Sequence, residues 1–364
     1  MIVFIEDLNE LRERIKGIDY SILTLISRRI ELAKEVGRLK VNQGLPIKNF
    51  QVEKQVYERI ERFSNEFALD FQYMQKIYEV IIEAAVSVQM PLQKQKGKSF
   101  GSVLIIGGSG KMGSWFADFF STSGYSVEIL DPIPHPMLPA FDDANGDINK
   151  FDLIAVCCPL NVMKQTLSTL ISQHPRGIVF DIASLKSQLL EIEQMAKNEN
   201  VRYVSVHPMF GPDAKHLVGR NLLICHSPDQ SAYETVMDIF IETSANIVPI
   251  PMQMHDKFMI YCLGLPHFVN LLVGKVLFDS GIEFQNIQNH AGTTMLKQLS
   301  ATMELFSENP ELYHSIQNLN DYKDQLYTEI EKGFKSIVEY ASNPDGHDFS
   351  RFMNSTREFF EEQD

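Results

Sequence analysis

Apolar residues near the start of the chain fall at Leu8, Leu11, Ile15, Ile18, Ile22 and Leu25, then at Leu32, Val36 and Leu39. Spacings that alternate between three and four define the seam of one long amphipathic helix of coiled-coil type. Gly44 and Pro46 end it. Two further helical stretches follow, Val52 to Phe63 and Phe71 to Gln89, the second carrying the stripe Ile77, Val80, Ile81, Ala84, Ala85, Val88. A seam of this length needs a second chain to cover it, so an intertwined homodimer is expected. Pro91 to Ser99, with three lysines and a glycine, reads as a linker.

Beyond residue 100 the period changes. Short apolar runs at Val103–Ile106, Val127–Leu130, Leu153–Cys157, Gly177–Asp181, Tyr203–Val206, Leu222–Cys225 and Ile247–Ile250 alternate with amphipathic stretches. That alternation predicts a doubly wound α/β sheet. After Pro251 the strand-like runs stop, and His255–Phe278 and Leu312–Tyr340 are helical in period. The expected architecture is multidomain, α and α/β: an all-helical domain over 1–92, a Rossmann-type domain over 100–250 and a C-terminal helical dimerisation and substrate domain over 251–364.

Composition narrows the class. Hydrophobic residues make up 44% and charged residues 22%, as in soluble globular proteins. No unbroken apolar run reaches membrane-spanning length and Glu6 and Asp7 follow the first apolar residues, so neither a signal peptide nor a membrane segment is expected. Four cysteines without CxxC spacing fit a reducing cytoplasm. The net charge of −14 disfavours nucleic acid as a partner. It is uneven, since residues 1–97 hold 15 Lys and Arg against 14 Asp and Glu. No His/Cys/carboxylate cluster has ligand spacing, so no metal is expected.

The run Val103-Leu-Ile-Ile-Gly107-Gly108-Ser-Gly110-Lys111-Met112-Gly113 carries the dinucleotide fingerprint GxGxxG between an apolar strand and a helix, Ser114 to Ser123. In this reading Gly108 permits the tight turn, Gly110 lets backbone approach a pyrophosphate, and Gly113 allows close helix-to-strand packing. The diphosphate then meets the helix N-terminus. Asp131 closes the second strand eighteen residues after Gly113, where a carboxylate accepts from ribose hydroxyls and repels a 2′-phosphate, favouring NAD. The alternative for Asp131 is a turn aspartate before Pro132. Lys111, Met112 and Pro159 complete the candidate cofactor-binding set. A phosphate-binding P-loop is rejected because GxxxxGK[ST] is absent.

Two strand ends on the carboxyl edge bear further chemistry. Tyr203-Val-Ser-Val-His207-Pro-Met-Phe-Gly-Pro212 ends in an imidazole, a group suited to taking a hydroxyl proton while hydride leaves. Asp181-Ile-Ala-Ser184-Leu-Lys186 offers a hydroxyl to orient that ring and an ammonium to hold an anion, with a helix N-cap as the alternative for Ser184.

The three motifs Gly108–Gly113, Asp181–Lys186 and His207-Pro-Met-Phe-Gly-Pro-Asp213, with Leu305-Phe-Ser-Glu-Asn-Pro-Glu-Leu-Tyr313, closely resemble the prephenate dehydrogenase family. With the N-terminal helices the chain resembles the bifunctional chorismate mutase/prephenate dehydrogenases over nearly its whole length. The resemblance implies NAD-dependent oxidative decarboxylation of prephenate to 4-hydroxyphenylpyruvate, with His207 and Ser184 catalytic and Lys186 and His267 binding substrate. It also implies tyrosine as a feedback inhibitor. The family usually carries arginines shortly before LFxxxPxLY, yet Glu304 stands directly before Leu305 and no arginine occurs between Arg220 and Arg351. Lys297 is the expected substitute. A modified cyclohexadienyl substrate, arogenate or amino-deoxyprephenate, is therefore the alternative, and a non-catalytic metabolite-binding regulator is a third reading.

The helical segment gives an independent signal. Arg29 interrupts the apolar seam, and Lys40, eleven residues on, lies within about 20° of it around a helix of 3.6 residues per turn, whereas Arg12 points about 100° away. Arg29 and Lys40 are expected to line one pocket, with Arg12 supplied by a partner chain. By resemblance to all-helical chorismate mutases, Arg12 and Arg29 bind carboxylates, Lys40 and Gln89 contact the ether oxygen, and Glu53 meets the ring hydroxyl. Asn49, Val52 and Ala85 depart from the family's usual aspartate, arginine and serine.

Overall fold

The computed structural model describes residues 8–43, 45, 50–93, 101–143, 146–214, 217, 220–241, 243 and 245–361, without the side chains of residues 50, 51, 53, 83, 87 and 90–93. The chain forms two compact units. One takes in everything up to Ala183 together with Glu191–Ile250; the other comprises Ser184–Leu190 and Pro251–Asp364.

The first unit opens with α1 (Leu8–Gln43), α2 (Phe50–Glu66) and α3 (Phe71–Gln93). The coiled-coil seam thus forms a single helix of 36 residues. Val56, Tyr57 and Ile60 of α2 pack with Phe71, Met74, Tyr78 and Ile82 of α3 into a small core. Arg29 of α1 donates to the Ile81 carbonyl of α3, and Gly37 faces Gln89. Both pairs are 52 residues apart, so α1 and α3 run parallel. Leu8, Ile15, Ile18, Ile22 and Leu25 remain exposed on α1. The linker expected from Pro91 starts later, because α3 continues to Gln93. A proline in the last turn forfeits few of the helix's hydrogen bonds. Gly44 and Pro46, the expected terminators of α1, lie outside the described residues.

All seven apolar runs are strands: β1 (Ser102–Ile106), β2 (Ser126–Leu130), β3 (Leu153–Val156), β4 (Ile178–Asp181), β5 (Tyr203–Pro208), β6 (Asn221–Cys225) and β7 (Asn246–Ile250). They form one sheet in the order β2-β1-β3-β4-β5-β6-β7. Strands β1 to β5 are parallel, β6 is antiparallel to β5, and β7 is parallel to β6. Helices α4 (Lys111–Thr122), α5 (Leu160–Ser172), α6 (Leu190–Asn198) and α7 (Gln230–Ile241) complete this part. Near-continuous apolar strands mark a sheet covered on both faces. An aromatic cluster joins α4 to sheet and helix: Phe116 lies 6.1 Å from Phe180 of β4 and 6.3 Å from Phe240 of α7. The chain leaves β1 for β2 on one side and returns to β3 on the other, a switch point that opens a crevice at the carboxyl ends of β1 and β3.

The second unit is helical: α8 (Met252–Met259), a π-helical turn (Ile260–Gly264), α9 (Leu265–Asp279), α10 (Phe284–His290), α11 (Thr293–Ser307), α12 (Pro310–Leu319), α13 (Lys323–Ser342) and α14 (His347–Glu361). From α8 through α9 the chain is one run, Met252–Asp279, long and apolar enough to cross a membrane by length and composition, and only 11% of its most apolar window is buried. His255, Asp256, Lys257 and His267 interrupt it, so the unbroken apolar runs within it stay shorter than that. The helical stretch expected over Leu312–Tyr340 is two helices. Asn320 breaks it, accepting the Tyr322 N–H on its side chain at 2.9 Å and donating to the Asp256 carbonyl at 3.0 Å.

Candidate active site

At the switch point the Gly-rich turn is shaped by three glycines and a carboxylate. Gly107, at φ +80, is the residue that takes the left-handed conformation, so the tight turn belongs to it and not to Gly108. A Cβ on Gly108 would strike Ile129, and one on Gly113 would strike the Gly107 carbonyl, which keeps helix and strand in close contact. Gly110 differs. Its Cβ would meet nothing nearer than the Gly107 oxygen at 3.4 Å, and as the cap of α4 it contributes no side-chain hydrogen bond. Backbone there is open to a phosphate at a helix N-terminus, so the residues fit a dinucleotide. Helix α4 begins at Lys111, which is exposed, while Met112 packs on the core.

Asp131 follows β2 and accepts the Ser109 N–H at 3.1 Å and the Ile133 N–H at 2.9 Å. It is a turn aspartate that also stitches β2 to the Gly-rich turn. Across the crevice Cys157, Cys158 and Pro159 follow β3, with the Pro159 carbonyl accepting the Val162 and Met163 N–H groups of α5. Burial, with Cys158 and Asp181 nearby, pushes the Cys157 thiol well up, which keeps it protonated and inert.

His207 lies on β5 paired with Leu223 and is 3% exposed. Asp181, at the end of β4, accepts the Tyr203 hydroxyl at 2.6 Å and the Ala183 N–H at 2.8 Å. Burial above all, and then the Asp181 carboxylate, push the Tyr203 phenol well up, so it remains a donor. Ser184 is not an N-cap. The short 3-10 turn that follows spans Ser187–Leu189 with Lys186 in the cap position.

Ser184 and Lys186 belong to the helical unit, while His207 belongs to the sheet. Within the helical unit Asp256 accepts the Lys186 and Ser187 N–H groups, each at 2.8 Å, and its Oδ1 lies 2.7 Å from His255 Nδ1. Burial alone would raise this carboxyl, but hydrogen bonds from His255 and Ser187 outweigh it and hold Asp256 below the usual range. His267 follows the π-helical turn, a feature common at functional sites. Its ring stacks edge-on with Tyr313 at 4.7 Å, its Nδ1 is buried without a partner, and burial lowers its pKa to about 4. Lys297 and Glu304 are both exposed on α11. Seven residues apart, they share one helix face to within about 20°.

In the helical segment the parallel contact of α1 and α3 sets Arg29 against Ile81 and Gly37 against Gln89, with Lys40 on α1 one turn beyond Gly37. Gln89 is 7% exposed and Arg29 reaches the Ile81 carbonyl at 3.4 Å. Arg12 is exposed, about 25 Å further along α1 at 1.5 Å per residue. The backbone of Glu53 lies on α2, and its side chain and Asn49 fall outside the described residues.

Three matches cover most of the chain: "Chorismate mutase type II" over residues 11–90, "Prephenate dehydrogenase, nucleotide-binding domain" over 135–248 and "Prephenate dehydrogenase, dimerization domain" over 251–355. The T-protein of Enterobacter agglomerans is 24% identical over 361 residues, covering 98% of this chain and 94% of that one. The chorismate mutase of Methanocaldococcus jannaschii is 39% identical over 85 residues, 23% of this chain and 86% of that one. The chain belongs to the bifunctional chorismate mutase/prephenate dehydrogenases. A solved fold agrees: prephenate dehydrogenase from A. aeolicus, in complex with hydroxyphenyl propionate and NAD+, superposes with a TM-score of 0.59 at 17% identity, covering 74% of this chain and all of that one.

Three residues of this bifunctional enzyme escaped the reading of its sequence. Gly37 sits mid-helix, a signal that was available, and lets Gln89 approach α1: a Cβ there would lie 2.6 Å from Gln89 Cγ. Gly107 precedes the fingerprint. Asp256 is separated by seventy residues from the backbone it holds, and no local pattern reveals such a pair.

Proposed function

We propose that the chain converts chorismate to prephenate on α1 and α3 and then oxidises prephenate with NAD to 4-hydroxyphenylpyruvate and carbon dioxide. The observation that carries the first half is the parallel contact of α1 and α3, which buries Gln89 against Gly37 on the helix that also bears the cations Arg29 and Lys40. A pericyclic rearrangement requires only orientation and stabilisation of charge on the ether oxygen. Arg29 and a partner's Arg12 hold the two carboxylates, Lys40 and Gln89 meet the ether oxygen, and Glu53 meets the ring hydroxyl.

For the second half, the turn Gly108 to Gly113 holds the diphosphate, with Lys111, Met112 and Pro159 around it, and Asp131 accepts from the ribose. NAD, when bound, accepts the hydride from the ring carbon bearing the hydroxyl. His207 takes the hydroxyl proton as hydride leaves and returns it to the phenolate oxygen once the ring is aromatic, Ser184 orients its imidazole, and Lys186, His267 and Lys297 bind substrate. Loss of the ring carboxylate as carbon dioxide leaves its bonding pair in the ring, so aromatisation drives the step. We assign the domains to 1–92, 100–250 and 251–364, in the cytoplasm. The exposed apolar faces of α1 and of Met252–Asp279, the latter inside the matched dimerisation domain, support a homodimer in which a second copy covers both.

Purified protein given chorismate and NAD is expected to consume chorismate and form NADH with matching carbon dioxide. Chorismate turnover without NADH, despite nucleotide binding, would refute the dehydrogenase half. A second reading is favoured by Glu304, an anion on the same face as Lys297: that pair suits a substrate carrying an ammonium as well as a carboxylate. Under it, an amine-bearing cyclohexadienyl acid yields a higher kcat/KM than prephenate.

A further inference from the structure

Lys186 stands in the cap position of the turn Ser187–Leu189 without any side-chain cap of its own. The cap comes from α8. Asp256 places Oδ1 on the Lys186 N–H and Oδ2 on the Ser187 N–H, both at 2.8 Å, a bidentate version of what an N-cap carboxylate does locally. Asp256 is 1% exposed and Lys186 and His255 are fully buried. A carboxylate so deeply buried is costly unless its lone pairs are used. Here they are: beyond the two backbone donors, His255 Nδ1 lies 2.7 Å from Oδ1, a contact in which only the ring can donate, so His255 carries its proton on Nδ1. Asn320 fixes the Asp256 backbone by donating to its carbonyl at 3.0 Å.

We propose that Asp256, held by His255, is a positioning residue for the dehydrogenase reaction, fixing the backbone at Lys186 and Ser187 and thereby the Lys186 ammonium and the Ser184 hydroxyl. This rests on the roles given above to Ser184 and Lys186. The same connection is anchored at its upstream end by Asp181, through the Ala183 N–H and the Tyr203 hydroxyl. Two buried carboxylates thus bracket the segment between β4 and α6. The one on α8 ties Ser184–Leu190 to the helical unit.

Asp256→Asn in the full-length enzyme replaces one acceptor oxygen with an amide that faces a backbone N–H. Loss of a hydrogen bond to a charged group predicts a prephenate KM raised about tenfold or more, with the KM for NAD and the mutase rate unchanged. His255→Leu is expected to match it. His255→Asn, which keeps a donor near the Nδ1 position, is expected to retain a KM within about threefold of wild type. Hydrogen exchange on the same samples is expected to quicken about tenfold at Lys186 and Ser187 and stay constant in Ile178–Asp181. A folded Asp256→Asn with unchanged prephenate KM, with prephenate and NAD KM raised alike, or with unchanged exchange would overturn the proposal. Wild-type protein silent toward prephenate would overturn the functional reading beneath it, and exchange at the two amides would still decide the clamp.

Discussion

Gly37→Ala tests how the mutase site is held. A methyl group at Gly37 would stand 2.6 Å from Gln89 Cγ, 3.0 Å from its Cβ and 3.2 Å from its Cδ. Carbon atoms need about 3.5 Å or more, so Gln89 must retreat by nearly that difference, roughly 1 Å. Such overpacking costs about 1–3 kcal/mol, while alanine in place of glycine within a helix returns about 1 kcal/mol. Stability is therefore expected to change little. Activity is not: a displacement of about 1 Å in a positioned group can lower a rate by about 100-fold, equivalent to about 2.7 kcal/mol of barrier. Chorismate consumption, followed in the ultraviolet, is expected to fall by that factor, with NADH formation from added prephenate intact as an internal control for folding. A variant that folds, oxidises prephenate normally and still rearranges chorismate at wild-type speed would refute the placement of Gln89 at the reacting ether.

Other substitutions probe the remaining parts. His207→Asn is expected to lower NADH formation by about 100-fold or more, the range for a lost general base, and to leave the mutase untouched; equal loss of both activities would count against two separate sites. Asp131→Ser removes a ribose acceptor and two backbone contacts, so the KM for NAD is expected to rise roughly tenfold and the NAD/NADP preference to shrink, whereas an unchanged ratio would assign Asp131 to the turn alone. For His267, whose pKa falls from 6.5 to about 4 on burial, the unfolded chain takes up the proton first. Its contribution to stability is complete above pH 6.5 and is lost as pH drops towards 4. Urea midpoints across that window are expected to decline less steeply in His267→Leu, and parallel acid slopes would refute the assignment.

Periodicity recovered what depends on it. Alternating threes and fours gave α1, and seven apolar runs gave seven strands, because burial on one stripe or on both faces leaves a direct trace in sequence. It missed the antiparallel β6, since an apolar run has no direction, and the break between α12 and α13, where Asn320 turns the chain with polar contacts that its neighbours do not reveal. The candidate sites divide the same way. Gly108, Gly110 and Gly113 lie within six residues, and Asp131, eighteen residues on, joins their turn through the Ser109 N–H. The contacts Gly37–Gln89 and Asp256–Lys186 join distant segments, and their geometry follows from packing that no local motif encodes.

The exposed first half of α1 has a genetic consequence. Arg12 lies on it, about 25 Å along the helix from Arg29, and in the homodimer proposed above each mutase site takes its Arg12 from the second copy. A protomer with Arg12→Ala still offers an intact Lys40, and one with Lys40→Ala still offers an intact Arg12. Each is inactive alone. Mixed at random, half the dimers are hybrids with one whole site each, which restores roughly a quarter of the sites. Two null alleles of this protein would thus complement each other.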